Sequence, residues 1–293
     1  MDLIKYEAFY RAATLGNVTR AAEEMGYSQS GVSHMIRDLE KEAGLVLLDR
    51  GKSGVSLTEE GRAILPAVGR MLEEKRHLDE EIAALRGLET GTVRVGAFTS
   101  VSVHWLPRII KAMESRTPGI RVEPVQGDYN EIARWMDQGR IDCGFLTDSS
   151  CPDRFDLLPL SEDRMMAVLA PDHPLCKEKA VPIEEAARQD FIFPGPGFDG
   201  DTAPLLERAG VKPRVRYTVY GDESLVALAG AGLGMAILPE LYLLSYRDKV
   251  CALPLKPPVK RRIGLILRKG VKPSPAVSAF IRTTRSVLAE MKA

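Results

Sequence analysis

Five side chains between residues 29 and 37 could read a polar surface: Gln29, Ser30, Ser33, His34 and Arg37. Helical spacing gathers them on one side of a segment that starts after Ser28 and runs to about Ala43. Amide, hydroxyl and guanidinium groups are suited to the base edges and phosphates of duplex DNA. A merely solvated helix face would carry the same residues, so the neighbouring elements decide the reading. The other side of this helix holds Val32, Ile36, Leu39 and Ala43, spaced to face a core.

Those neighbours have recognisable starts and stops. Leu3, Tyr6, Phe9, Tyr10 and Ala13 mark an amphipathic helix over 2–15, ended by Gly16. Asn17 or Thr19 can cap a short helix through Ala21, Ala22 and Met25, and Gly26 suits its C-terminus. Two short helices joined by a glycine-containing turn form a helix-turn-helix. Downstream, Leu45 to Leu48 and Val55 to Leu57 flank the tip Asp49-Arg50-Gly51-Lys52-Ser53-Gly54, which reads as a β-hairpin wing. Thr19, Arg20, Ser28, Arg50, Lys52 and Ser53 therefore join the candidate DNA contacts, with Arg50 and Lys52 reaching phosphate.

A second set of hydroxyls and amides lies further on. Thr99, Ser100 and Ser102 follow an apolar strand at the start of a helix, where free N–H groups favour an anion. Gln126 and Thr147 end the next two expected strands, and the loop from Pro194 through Gly195 to Thr202 follows a later one. These residues are the candidate walls of a small-molecule cleft, and a carboxylate is the expected ligand type. Helix capping would explain the same hydroxyls. The loop contains G-x-G-x-x-G at Gly195, Gly197 and Gly200, with Asp222 downstream. Pro194 and Pro196 flank its first glycine and the helix begins after the motif, so a dinucleotide site is rejected.

Strand and helix alternate from Thr92 onward: strands near 92–97, 120–125, 141–146, 165–169, 191–193, 215–219, 235–238 and 263–267, with helices between them. That alternation predicts a largely parallel α/β sheet in two units, with ligands at the carboxyl ends of the strands. Between the two regions, Thr58 can cap a long helix. Ile64, Met71, Leu78 and Leu85 recur every seven residues, as do Val68, Lys75 and Ile82. Together they make a seam suited to a dimer. Pro66 lies inside this helix and predicts a bend near 61–66.

Composition narrows the class. The 293 residues are 45% hydrophobic and 27% charged with no net charge, as in an ordinary globular protein of two or three units. Residues 1–90 carry 12 Lys and Arg against 16 Asp and Glu, so positive charge for DNA must be placed locally. The apolar stretch 225–244 contains three glycines, Pro239 and Glu240, which excludes a membrane span there. The N-terminus lacks a signal-peptide layout, and Cys143, Cys151, Cys176 and Cys251 form no C-x-x-C pair. A cytoplasmic protein with reduced thiols and no cofactor is the expectation.

The N-terminal 60 residues resemble the LysR-type family of transcription regulators. The resemblance is carried by the Phe9 helix, Ala21-Ala22, Ser28-Gln29-Ser30-Gly31-Val32-Ser33, Leu39-Glu40, Gly44, Arg50, and Leu57-Thr58 before Gly61. Leu48, where members usually carry Phe, and Gly31, where Ala or Pro is commoner, depart from the pattern. The C-terminal half is similar at Val93-Arg94-Val95-Gly96, Leu106-Pro107, Asp172-His173-Pro174-Leu175 and Gly232 to Pro239. The resemblance implies an all-α winged helix-turn-helix domain over 1–58 and a linker and dimerisation helix over 59–89. It implies an α/β two-lobed effector-binding domain over 90–293, resembling type 2 periplasmic binding proteins. Lobe 1 would span about 90–161 and 266–293, and lobe 2 about 162–265. The implied partners are a double-stranded DNA operator, a small-molecule effector and a second copy of the chain, with a tetramer as a further family assembly.

Two other classes compete with this one. A solute-binding protein or enzyme with an added helical module would need a signal peptide or a catalytic set. His34, His77, His104 and His173 are scattered and form neither a nucleophile–base–acid set nor a metal spacing. A redox sensor of the same family would carry paired cysteines near Pro194 to Asp201, where this sequence has none.

Overall fold

The computed structural model describes residues 2–51 and 54–291. It divides into two compact units, one formed by residues up to Ile82 together with 137–140, the other by the remainder.

In the first unit, α1 (Leu3–Leu15), α2 (Val18–Met25) and α3 (Gln29–Ala43) begin and end on local signals. The Asn17 side chain accepts from the N–H groups of Thr19 and Arg20, and the Ser28 hydroxyl accepts from Gly31. Gly26 closes α2 at φ 71°, a left-handed conformation that costs a side-chain-bearing residue energy. Phe9, Ala12, Ala21, Val32, Ile36, Leu39 and Leu47 are fully buried together. Strands β1 (Leu48–Gly51) and β2 (Gly54–Leu57) pair antiparallel as the wing. Three expectations are corrected here. Leu45 and Val46 are exposed rather than part of a strand, and Ala43 is exposed rather than in the core. The chain there is instead fixed from α3: the Glu40 carboxylate accepts the Leu47 and Leu48 N–H groups at 2.8 and 3.1 Å.

Helix α4 (Glu59–Leu85) is continuous through Pro66. The Thr58 hydroxyl accepts from Gly61 N–H, and Glu59 and Glu60 sit in the favourable first turn. A Cβ on Gly61 would lie 2.1 Å from the Leu47 carbonyl oxygen, so only glycine lets the helix start against the wing.

The second unit opens with β3 (Gly91–Ala97), α5 (Thr99–His104), α6 (Leu106–Arg116), β4 (Ile120–Gln126), α7 (Tyr129–Asp137) and β5 (Cys143–Thr147). β6 (Phe155–Leu169) follows, then a 3-10 turn at Pro174–Lys177, β7 (Val181–Pro182), α8 (Glu185–Arg188), β8 (Phe191–Pro194) and α9 (Thr202–Arg208). The chain ends with β9 (Val215–Val219), α10 (Asp222–Gly230), β10 (Ala236–Pro239), α11 (Glu240–Leu243), β11 (Cys251–Lys256), β12 (Lys260–Arg268) and α12 (Pro275–Glu290).

The main sheet runs β4-β3-β5-β12-β6-β11-β7, with β10 also on β6. It is mixed rather than largely parallel: β3 lies parallel to β4 and β5, but β12 and β6 pair antiparallel over Lys260 to Arg268. These two strands carry the chain between two hydrophobic centres, one around Phe145, Ile109 and Phe280, the other around Phe191, Ile237 and Leu225. The first ten residues of β6 were not anticipated, because Asp156, Glu162, Asp163 and Arg164 interrupt their apolar pattern. The apolar stretch 225–244 is α10, β10 and α11, and no helix among the described residues is long and apolar enough to cross a membrane. The thiols also differ from expectation: Cys176 and Cys251 are bonded to each other, while Cys143 and Cys151 are free.

Glu40→Ala would leave two amides of the wing entry without their charged acceptor. It should lower the stability of the first unit by about 1.5–3 kcal/mol, read as an earlier urea transition by a probe within that unit.

Candidate functional site

The first unit presents an exposed polar face on α3. At roughly 100° per residue, Ser30, His34 and Arg37 lie on one side, away from Val32, Ile36 and Leu39. All three are exposed, as are Thr19, Arg20, Ser28, Gln29 and Arg50. Ser33 is only 6% exposed and accepts from the Gln29 amide at 3.2 Å. It stands roughly 60° from Ile36 around the helix, on the shoulder of the core face, so it orients Gln29 rather than meeting solvent. Ser28 spends its hydroxyl on the helix cap. Lys52 and Ser53 lie outside the described residues.

Charge is sorted across this unit. Lys5 is tied to Glu42 at 2.6 Å, and Arg11 to Glu7 and Glu24 at 2.9 Å. Among the described residues, Arg20, Arg37 and Arg50 enter no ion pair. Lys41, Arg62 and Arg70 likewise enter no ion pair among the described residues, so the helix-turn-helix and wing carry some, though not all, of the cations that no carboxylate neutralises.

On α4 the seam splits. Val68 is 4% exposed and Ile64 packs against the same core, so these two belong to their own unit rather than to a partner. Met71 is half-buried. Leu78, Ile82 and Leu85 are exposed, while Glu73 and Glu80 on the opposite side of the helix are buried.

The second unit holds the cleft, and its centre is a residue that sequence reasoning missed. Arg261 on β12 is 5% exposed. Its Nε donates to Asp163 at 3.0 Å, and Nη2, 2.8 Å from the same carboxylate, donates to the Ser100 hydroxyl at 2.9 Å. Its Nη1 donates to Tyr129 Oη at 3.0 Å and to Asp201 at 2.8 Å. Asp201 further accepts from Tyr129 Oη at 2.7 Å, Thr147 Oγ1 at 3.0 Å and Ser149 Oγ at 3.2 Å. The cavity beside this network has a volume of about 30 Å³. Phe98, Thr99, Ser100, Tyr129, Pro194, Phe198, Thr202 and Asp222 are among its walls.

The expected residues are thus distributed unevenly. Thr99, Ser100, Pro194 and Thr202 reach the cavity, while Thr147 joins the network behind it. Thr202 donates to the Ile237 carbonyl. Gly195 packs against the Tyr220 ring. Ser102 and Gln126 line a separate open groove along α6 and β4, because α5 and the end of β4 turn them outward. The Ser100 hydroxyl accepts from Arg261, and the helix it stands in, α5, is six residues long. Arg261, Asp163 and Asp201 had one sequence signal, the charged Lys260-Arg261-Arg262 leading into an apolar strand.

Protonation follows burial. Burial pushes the Tyr129 phenol well up, and the adjacent Asp201 adds to it. Burial pulls Arg261 down, but Tyr129, Asp201 and Asp163 outweigh it and hold the guanidinium charged. Asp222 opens α10, and burial together with Asp201 and Glu223 raises its carboxyl to about 6, against the pull of Arg261.

A helix-turn-helix bearing free arginines, joined by a long helix to a two-lobed cleft domain, defines a DNA-binding regulator with a small-molecule sensor. Two family models match: "Bacterial regulatory helix-turn-helix protein, lysR family" over residues 3–62 and "LysR substrate binding domain" over 86–289. The chain belongs to the LysR family. It is accordingly a transcription regulator and not an enzyme; LysR regulators bind operator DNA and small-molecule effectors and act as multimers. Among similar proteins, "Uncharacterized HTH-type transcriptional regulator YvbU" of Bacillus subtilis is 27% identical over 98% of this chain and 99% of its own. "Probable HTH-type transcriptional regulator LrrA" of Synechococcus elongatus is 29% identical over 100% and 99%. In fold, the chain is similar to a full-length OxyR variant from Pseudomonas aeruginosa, with TM-score 0.80, 21% identity and coverage of 98% and 94%. It is also similar to full-length CbnR complexed with its target DNA, with TM-score 0.66, 23% identity and coverage of 98% and 100%.

Asp222 has a pKa raised from 3.8 to about 6 in the folded chain. A raised carboxyl makes the native state bind more protons than the unfolded one. Its penalty is therefore absent below pH about 4, grows as pH rises through 6 and is constant above. Asp222→Asn should remove that slope and raise stability at pH 7 by on the order of 1–3 kcal/mol, measured by denaturant unfolding from pH 4 to 8.

Proposed function

We propose that Thr19, Arg20, Gln29, Ser30, His34, Arg37 and Arg50 read the operator. Gln29, His34 and Arg37 would reach base edges, and the others phosphate. The observation that carries this reading is the exposed polar face of the second helix of a helix-turn-helix, where Gln29, Ser30, His34 and Arg37 meet solvent, with Arg20 and Arg50 exposed and outside any ion pair among the described residues. The divisions that fit are a head over 1–58, a connecting helix over 59–89 and an effector domain over 90–293. The lobes would span about 90–161 with 266–293, and about 162–265. The chain acts in the cytoplasm, where its operator is. The effector enters between the lobes beside Arg261, and its binding changes the angle between them. The driving force is differential affinity for the two lobe arrangements, since equal affinity would shift nothing. The partner copy docks on Leu78, Ile82 and Leu85, with Met71 at the margin.

Footprinting and titration on operator DNA test the reading face. Gln29→Ala and Arg37→Ala should each lose about 1–3 kcal/mol of discrimination at one base position, and Arg20→Ala should weaken all sequences alike. Unchanged affinity and footprint in all three would remove the assignment. For the seam, Leu78→Asp with Ile82→Asp should give a smaller particle in sedimentation and weaker operator binding. An assembly of wild-type size would place the interface elsewhere.

A further inference from the structure

We propose that the effector carries a positively charged, ammonium-type group that pairs with Asp222. This rests on the reading of the cleft as the effector site. The argument counts which polar groups in the cavity are already used. Each nitrogen of the Arg261 guanidinium is engaged: Nε by Asp163, Nη1 by Tyr129 and Asp201, and Nη2 by Ser100, with the Asp163 carboxylate also 2.8 Å from Nη2. Asp201 occupies the place that an effector carboxylate would need: it takes the charge of Arg261 and the hydroxyls of Tyr129, Thr147 and Ser149. Asp128 is engaged by the Glu131 N–H at 2.7 Å. Asp222 is different. It lines the cavity, is half-buried and accepts no hydrogen bond among the described residues.

The sign of the charge follows. The ionisable groups of the wall are Asp128, Asp201, Asp222 and Arg261, three carboxylates against one guanidinium, together with the Tyr129 phenol, which stays protonated. An anion placed there would meet repulsion from the carboxylates and find no free cation. A cation would meet an unpartnered carboxylate and the rings of Phe98, Tyr129 and Phe198, whose π faces attract positive charge. Arg261 already uses this attraction, lying 5.1 Å from the Phe98 ring centroid. The cavity of about 30 Å³ holds little more than a water or two, so the lobes must part to admit the ligand.

The charged and titratable groups facing Asp222 are Arg261, Asp201, Glu223, Tyr129 and Tyr242. Cation binding should accordingly strengthen from pH 5 to pH 7 as Asp222 loses its proton.

The test is calorimetry on the full chain with primary ammonium probes, from methylammonium to 2-phenylethylammonium, each matched by a carboxylate of the same shape. The expected result is binding by ammonium members and none by their carboxylate partners. Asp222→Asn should weaken that binding about tenfold or more, and Asp222→Glu should retain most of it. Absence of any ammonium binding, or affinity that survives Asp222→Asn, overturns the proposal. A carboxylate probe that binds and is blocked by Thr99→Trp would keep the cleft and discard the cation. An ammonium probe that binds Thr99→Trp as well as wild type would discard the cleft itself.

Discussion

A buried guanidinium governs the second unit. Burying Arg261 is unfavourable unless every donor is met, and the chain meets them from places far apart in the fold. Ser100 and Tyr129 come from the helices beside the first hydrophobic centre. Asp201 comes from the start of α9 in the second, and Asp163 from the crossing strand β6. Buried ion pairs add little to net stability, because desolvation consumes most of the attraction, but removing one partner is expensive. The network therefore acts as a positional constraint: Arg261 satisfied requires the two lobes to be close. Opening the cleft exposes Asp201 and Arg261 to water, where each can be solvated again. A closed and an open arrangement can thus lie within a few kcal/mol of each other, the condition for a ligand to shift populations.

Legibility in the sequence followed the range of the interactions. The first unit is built from short-range signals, so its helix bounds could be read directly. Asn17 and Ser28 cap within three residues, and Gly26 closes its own helix. The spacing misleads at edges: Ser33 sits on the shoulder of the core face, Ala43 lies on that face but at the helix end where the core has run out, and Leu45 and Val46 are apolar without being a strand. The cleft was different. Apolar strands such as β5 and β10 announce themselves, but the partners of Arg261 are 60 to 161 residues from it in sequence, and each is unremarkable alone. Thr99, Ser100 and Thr147 were found because they stand at strand ends. Arg261, which donates to Ser100 and joins Thr147 only through Asp201, sits on a strand whose charged start reads as a loop. Asp222 had entered only as the acidic residue of a nucleotide motif that the prolines ruled out.

Helix α4 poses a similar question of division. Its first half is committed to the core of the head, where Leu65 and Val68 are buried and Ile64 and Leu72 pack alongside. The half left for a partner offers Leu78, Ile82 and Leu85, exposed to 57%, 41% and 88%. Fully burying a leucine or isoleucine is worth about 1.5–3 kcal/mol, so six such side chains across a symmetric seam give about 9–18 kcal/mol. Association costs about 4–15 kcal/mol before side chains are ordered. The two ranges overlap, and the seam alone makes a marginal dimer. Lys75 lowers it further, because a charge at a core position of the seam must reach outward, here to Asp79 at 2.6 Å. A polar residue in that place weakens association but penalises slipped registers more. The seam therefore sets which way two copies align, and the remaining association energy must come from surfaces beyond it.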